Sequence, residues 1–269
     1  MYKLGLNFEH IKVASKENNV SVFEVLKKIK MYGVSSLDVN VCDVMDNTNY
    51  RADVLRSGLS IDCVFYKGDY GYSDNIGYEL SMIDFCAEHN IKNIMLLTEF
   101  IKSGDNELEY NTLLKKNLRR IVKYASNFNI KVGIENFGKE FSPFSTIDKC
   151  LDVLKSVKGL GLIYDSGNFL LAGENPIDAV KTLMPYIQRV HIKDRTYTEV
   201  EGSPMQISID GKKTYTTTLG QGDCFIKEVV NLVKDSYERI DFVMEFDFTK
   251  LNITNNILDS ATYYSTEID

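Results

Sequence analysis

Residues 161–195, GLIYDSGNFLLAGENPIDAVKTLMPYIQRVHIKDR, decide the fold. The stretch holds two apolar runs, 161–164 and 186–192, each short and bounded as a buried strand would be. Asp165 closes the first run. His191 stands near the end of the second, followed by Asp194 and Arg195. Between them Pro176 opens an amphipathic run, 177–184, as proline does at the first turn of a helix. The spacing predicts a strand–helix–strand unit whose chemistry-bearing residues sit at the C-terminal ends of the strands. In parallel α/β folds that edge carries the active site.

The same signature occurs once before and once after. KVGIEN at 131–136 reads as a strand with Glu135 near its end, and DFVMEF at 241–246 as another with Glu245. An ionised carboxylate among apolar neighbours is costly unless paired or bound to a cation. One such acid alone is as consistent with a partnered core carboxylate as with a ligand. Glu135, Asp165, His191 and Glu245 on four successive strands point to one site. Three oxygen donors and one imidazole suit Mn²⁺, Mg²⁺ or Co²⁺, with Zn²⁺ also open.

The segments IENFG, YDSGNFLLAGENP, VHIKDR, LGQGD and VMEFD resemble the sugar phosphate isomerase/epimerase family, the xylose-isomerase-like TIM barrels. That family includes ketose 3-epimerases and enzymes of inosose metabolism, and the resemblance covers nearly the whole chain. It implies one divalent metal ion, Mn²⁺ foremost, held by Glu135, Asp165, His191 and Glu245 at the barrel mouth. It also implies that Glu135 and Glu245 flank the reacting carbon and that Arg195 holds a substrate oxygen. At Asn168 many members carry His, so this chain departs from the pattern there. Asn168, Arg195, Lys193, Tyr66 and Glu99 are the candidate substrate contacts; for Lys193 an outward, structural position is the alternative.

Taken from the N-terminus, the expected strands are 2–8, 36–39, 60–65, 93–97, 131–136, 161–165, 186–192 and 241–246. Helices are expected at 21–32, 49–57, up to His89, at 111–127, 147–157, 177–184, 224–233 and 251–264. Ser21 is expected to cap its helix and Asp223 to cap the one that follows. Asp38, on strand two, is as consistent with a structural role in the barrel as with a catalytic one, and His89 reads as structural. The loop YKGDYGYSDN, 66–75, places aromatics where they can stack on a sugar ring or simply pack. His191 and Glu245 lie 54 positions apart, far beyond the roughly 30-residue rhythm of the earlier units. The excess contains QISIDGKKTYTT, where Asp-Gly between β-prone runs predicts a hairpin, 206–217, lying as a lid over the mouth. The whole chain, 1–269, is thus expected to be one (β/α)₈ barrel with a hairpin insertion after strand seven.

A net charge of −7 argues against a nucleic-acid surface. No apolar run approaches the about 20 residues of a membrane span. Five cysteines without a CxxC pair, and no visible signal peptide, lead to an expected cytoplasmic protein with reduced thiols. The expected partners are a small-molecule sugar or polyol and, as an open possibility, further copies of the chain. The expected reaction is proton removal beside a carbonyl through a cis-enediolate on a ketose or related polyol ketone. Isomerase and epimerase outcomes follow from where the proton returns; an inosose-type dehydratase shares the first step. Abasic-site endonucleases use the same barrel, but their cluster of several zinc ions needs many histidines, and this chain has His10, His89 and His191. A non-catalytic sugar-binding barrel would not need two flanking glutamates.

Overall fold

The computed structural model describes residues 2–46, 48–247 and 253–268. Eight parallel strands close into a barrel: β1 (Lys3–Asn7), β2 (Val34–Asn40), β3 (Ser60–Gly68), β4 (Asn93–Thr98), β5 (Lys131–Glu135), β6 (Leu160–Asp165), β7 (Ile187–Ile192) and, last in the chain, Asp241–Met244. Three short strands precede that last one: β8 (Asp194–Thr196), β9 (Gln206–Ile207) and β10 (Lys213–Thr217). The closing strand is therefore β11, and it pairs with β7 on one side and β1 on the other. Helices cover the outside, as a parallel sheet requires when both of its faces must be buried.

Alternation along each strand separates two cores. Leu162, Tyr164, Val190, Ile192, Phe242 and Met244 point outward and join the large apolar layer under the helices. Cys63, Phe65, Met95 and Ile163 form a smaller cluster of their own inside the barrel. There is little room in that lumen. A methyl group at Gly133 would stand 2.2 Å from Ile163 Cδ1, so any side chain there would have to displace Ile163.

Local sequence explains most boundaries. Ser21 forms a capping box with Glu24, accepting from its N–H at 3.2 Å while Glu24 accepts from the N–H of Ser21 at 2.9 Å. Asn175 caps Pro176–Leu183. Other boundaries differ from expectation. Phe8 does not end strand one; it opens a helix, Phe8–Asn18, because the Asn7 side chain accepts from Glu9 N–H and caps it. The fourth-unit helix starts at Glu107, where Asn106 caps it, not at position 111. Asp223 does not cap its helix: Phe225 occupies the cap position of Ile226–Ser236, and Asp223 accepts instead from Tyr197 N–H at 2.9 Å. The first two residues expected in the closing helix, Leu251 and Asn252, lie outside the described residues; the helix is described over Ile253–Tyr263.

The insertion is a hairpin, β9–β10, extended to three strands by β8. Gly211, at φ +85°, supplies the left-handed residue of its turn. The hairpin rests on the C-terminal side of the barrel: Ile209 N–H donates to Leu171 O at 3.1 Å, and Thr214 meets Arg195. Among the described residues, no helix is long and apolar enough to cross a membrane.

Candidate active site

Glu135, Asp165, His191 and Glu245 converge at the C-terminal ends of β5, β6, β7 and β11. One donor atom from each lies within 4.8 Å of all the others. His191 Nδ1 stands 2.6 Å from both Glu135 Oε1 and Glu245 Oε2. His191 and Asp165 are wholly buried, and Glu135 nearly so. Asp165 Oδ2 and Glu245 Oε2 are buried without a well-formed hydrogen bond, each beside a cationic group. Three carboxylates and an imidazole aimed at one point, with acceptor atoms unspent, fit a hard divalent cation.

Burial opposes charge on every member of this cluster, and their mutual charges sort the outcome. For Glu135, burial comes first and the Glu245 charge second, together raising the carboxyl to about 7. Asp165 is raised by burial as well. Glu245 moves the other way: burial would raise it, but Lys193 and His191 outweigh that and hold it well below the usual carboxylate range. Burial works against a proton on His191, yet Glu135, Glu245 and Asp38 together raise its pKa well above the ordinary value.

The far nitrogen of His191 is held from the other side of the lumen. Its Nε2 lies 3.0 Å from Asp38 Oδ2, which also accepts from Arg189 Nε at 2.9 Å; Arg189 in turn donates from Nη1 to Asp241 at 2.9 Å. Asp38 therefore accepts from His191 Nε2–H and turns Nδ1 toward the cluster. Asp165 is braced by two asparagines. Asn136 Oδ1 accepts from its N–H at 2.8 Å and Asn136 Nδ2 donates to its carbonyl at 2.9 Å, while Asp165 Oδ1 accepts from Asn168 N–H at 2.7 Å.

The remaining candidates fall in different places. Lys193 points inward, not outward: two residues beyond His191 on the same face, its Nζ is 3.0 Å from Asp165 and 3.2 Å from Glu245. Arg195 is buried, donating to Thr214 Oγ1 at 3.0 Å and closely paired with Asp247. Asn168 spends its amide donor on Asn136 O at 2.9 Å and acts as a strut. Glu99 stands away from the cluster, exposed and paired with Lys67 at 3.0 Å. Tyr66 belongs to β3, not to a loop, and stacks on Tyr78 of the helix Gly77–Glu88 with ring centroids 4.4 Å apart. That contact puts its ring on the helix side of the strand.

Three further residues join the site, of which only Asp247 goes unnamed in the sequence reading; Asp194 and His10 gain their roles from the structure. Asp247 accepts from Arg195, from Gln206 Nε2 at 2.8 Å and from Thr216 Oγ1 at 2.8 Å, tying the hairpin to the end of β11. Asp194 accepts from the amides of Gly220 at 2.9 Å, Gly222 at 3.0 Å and Cys224 at 3.2 Å, and so shapes the LGQGD loop. A methyl group at Gly222 would collide with Asp194 Oδ1 at 2.2 Å. His10 is buried beside Glu245, accepting from Phe246 N–H at 3.0 Å, and burial lowers its pKa to about 4.

The family model described as xylose isomerase-like TIM barrel matches residues 76–264. An inosose dehydratase of Clostridium tetani is 29% identical over 130 residues, 46% of this chain and 43% of that protein. The chain spans less than half the length of the curated relatives it matches. Among solved structures, the probable 3-DHS dehydratase AsbF of Bacillus anthracis superposes with a TM-score of 0.74 at 15% identity, covering 98% of this chain and 99% of that one. The 3-keto-D-glucoside 4-epimerase YcjR of E. coli gives 0.73 at 14% identity, covering 99% and 100%.

Proposed function

The chain belongs to the xylose isomerase-like TIM barrel family, and from that premise we propose that it is a divalent-metal-dependent sugar isomerase or epimerase. It moves a proton beside the carbonyl of a ketose or related polyol ketone through a cis-enediolate. The observation that carries this reading is the convergence of Glu135, Asp165, His191 and Glu245 within 4.8 Å, with two glutamates facing one another across His191 Nδ1. A divalent cation bound by these four would supply Lewis-acid polarisation of the carbonyl and the adjacent hydroxyl. Mn²⁺ is the first choice for such an oxygen-rich set; Mg²⁺, Co²⁺ and Zn²⁺ are the alternatives.

The protein's own groups do the rest. Glu135 and Glu245 stand on either side of the site, each able to take or return the proton at the carbon between them. In the metal-free protein their environments differ: burial and the Glu245 charge raise Glu135, while, against burial, Lys193 and His191 lower Glu245. Lys193 and Arg195 present cationic groups toward the developing oxyanion, and the hairpin excludes water from it. The sugar is a small molecule taken in a single domain, and the cytoplasmic setting belongs to the same reading.

A dehydratase outcome is the second reading, and the buried Lys193 favours it. An ammonium held 3.2 Å from Glu245 can give a proton to a departing β-hydroxyl at the same site. Incubation with ketoses and inososes in D₂O and Mn²⁺, followed by NMR, tests both. A substrate loses one α-proton signal; a dehydratase also yields a new vinylic or deoxy carbon. No exchange with any ketose or inosose, in metal-loaded protein, would overturn the proposal.

A further inference from the structure

At the opposite end of the barrel from the four ligands lies a cavity of about 580 Å³. It opens where the strands begin and is bounded by the starts of β1, β3, β4, β5, β7 and β11. Its volume falls within the about 300–1,000 Å³ of small-molecule sites. Its lining is charged rather than apolar: Lys3, Lys92, Lys131, Arg189 and Arg239 against Asp62 and Asp241.

The pairing inside it is uneven. Lys3 meets Asp62 at 2.6 Å, and Arg189 meets Asp241 at 2.9 Å. That uses both carboxylates. Lys92, Lys131 and Arg239 face the same opening from three different strand starts, and none has an anionic partner among the described residues. The chain as a whole carries −7, so a concentration of cations in one concavity runs against its overall charge. Low-dielectric walls around such a cleft focus the positive potential and raise the local concentration of anions. Arg189, with 2% of its surface exposed, forms the rigid floor, its guanidinium held by Asp38 and Asp241. The flexible lysines and Arg239 form the rim.

We propose that this basal cavity is a binding site for a small, multiply charged oxyanion, a phosphate ester or a polycarboxylate, separate from the sugar site. Three unpaired cations around one opening match the charge of such a ligand, and a neutral sugar would leave them unanswered. The floor residue Arg189 also touches Asp38, which holds His191.

The test is calorimetric titration of the metal-loaded protein with inorganic phosphate and, separately, with tricarballylate, against sodium chloride at matched ionic strength. The two arms distinguish the phosphate from the polycarboxylate form of the ligand. One saturable site is expected for at least one of them. The double variant K131Q/R239Q changes two exposed residues outside the sugar site, and circular dichroism verifies its fold. It should weaken binding at least tenfold. D165N, which cripples the metal end, should bind the anion as the wild type does. Absence of saturable binding in both arms overturns the proposal. So does wild-type affinity in K131Q/R239Q, or loss of binding in D165N, which would place the anion at the metal instead.

Discussion

The ammonium of Lys193 sits 3.0 Å from Asp165 Oδ2 and 3.2 Å from Glu245 Oε1, between two of the carboxylates that converge on the metal-type site. It supplies positive charge to a cluster of buried acids. Burial works against its charge, but Asp165 and Glu245 raise its pKa above the usual lysine value. Lys193→Met should therefore destabilise the metal-free protein by about 3–5 kcal/mol, the cost of leaving buried carboxylates without their partner. The same change should tighten Mn²⁺ binding, because a competing cation is gone. Urea denaturation and a metal titration read the two effects. Unchanged stability with unchanged metal affinity would show the contact to be inert.

Asp38 should act on the metal through His191. Purified protein is expected to hold one divalent ion per chain, lost to EDTA. Asp38→Asn keeps the shape but removes the charge that orients His191 Nε2–H, 3.0 Å away. Metal affinity should fall about 10–100-fold, the usual cost of losing such a supporting partner. Equilibrium dialysis with Mn²⁺ checks it; wild-type affinity in the variant would break the proposed link.

Glu135→Gln and Glu245→Gln should each stop complete epimerisation, with turnover down by about 10²–10⁴-fold or more. Glutamine retains an oxygen ligand and cannot serve as a base. With metal at saturation and each epimer supplied separately in D₂O, the two variants should exchange the α-proton of opposite epimers. The same preference in both would indicate one base, and so an isomerase or dehydratase. Near wild-type rates in both would remove the glutamates from the mechanism.

Asp247 should control the hairpin. It holds Gln206 and Thr216 at 2.8 Å each and pairs with Arg195. Asp247→Asn is expected to loosen the hairpin and lower kcat, with rising protease sensitivity between 197 and 217. Shortening the 206–217 segment should cut turnover while leaving the fold intact by circular dichroism. Wild-type kcat and KM in the shortened protein would make the segment dispensable.

His10 gives a pH signature. Burial lowers its pKa to about 4 from 6.5. Between those values the unfolded chain binds a proton that the folded chain does not, so stability rises with pH across that window. Above pH 6.5 the group contributes no slope. Falling from pH 6.5 to 4 should cost up to about 3 kcal/mol through this residue. His10→Gln should flatten the stability curve there by that amount; parallel curves would mean that His10 does not titrate as proposed.

Much of this was written in the chain. The interiors of runs such as GLIYD and KVGIE are apolar because parallel strands are buried on both faces, and a terminal acid on such a run stands out. Lys193 was legible too. It lies two residues after His191, and period-two alternation puts both on one face. The same rule places Asp247 beside Glu245. Asp38 and His191 are 153 positions apart, and only closure of the barrel makes them neighbours. The helix Phe8–Asn18 was hidden because its buried face includes His10, a polar residue that interrupts the apolar period. Asp223 looked like a cap by residue type, but Asp194 draws the amides of that loop to itself and moves the helix start to Ile226.

The four converging ligands all come from β5, β6, β7 and the end of β11, the second half of the chain, while β1–β4 form the other half of the wall. The four donors are thereby inherited as one block. Recombination between the helix Glu107–Ser126 and β5, at a solvent-facing turn, would yield chimeras that keep all four on a single parental segment. From the donor of the first half such an exchange needs above all one residue, an aspartate in the place of Asp38.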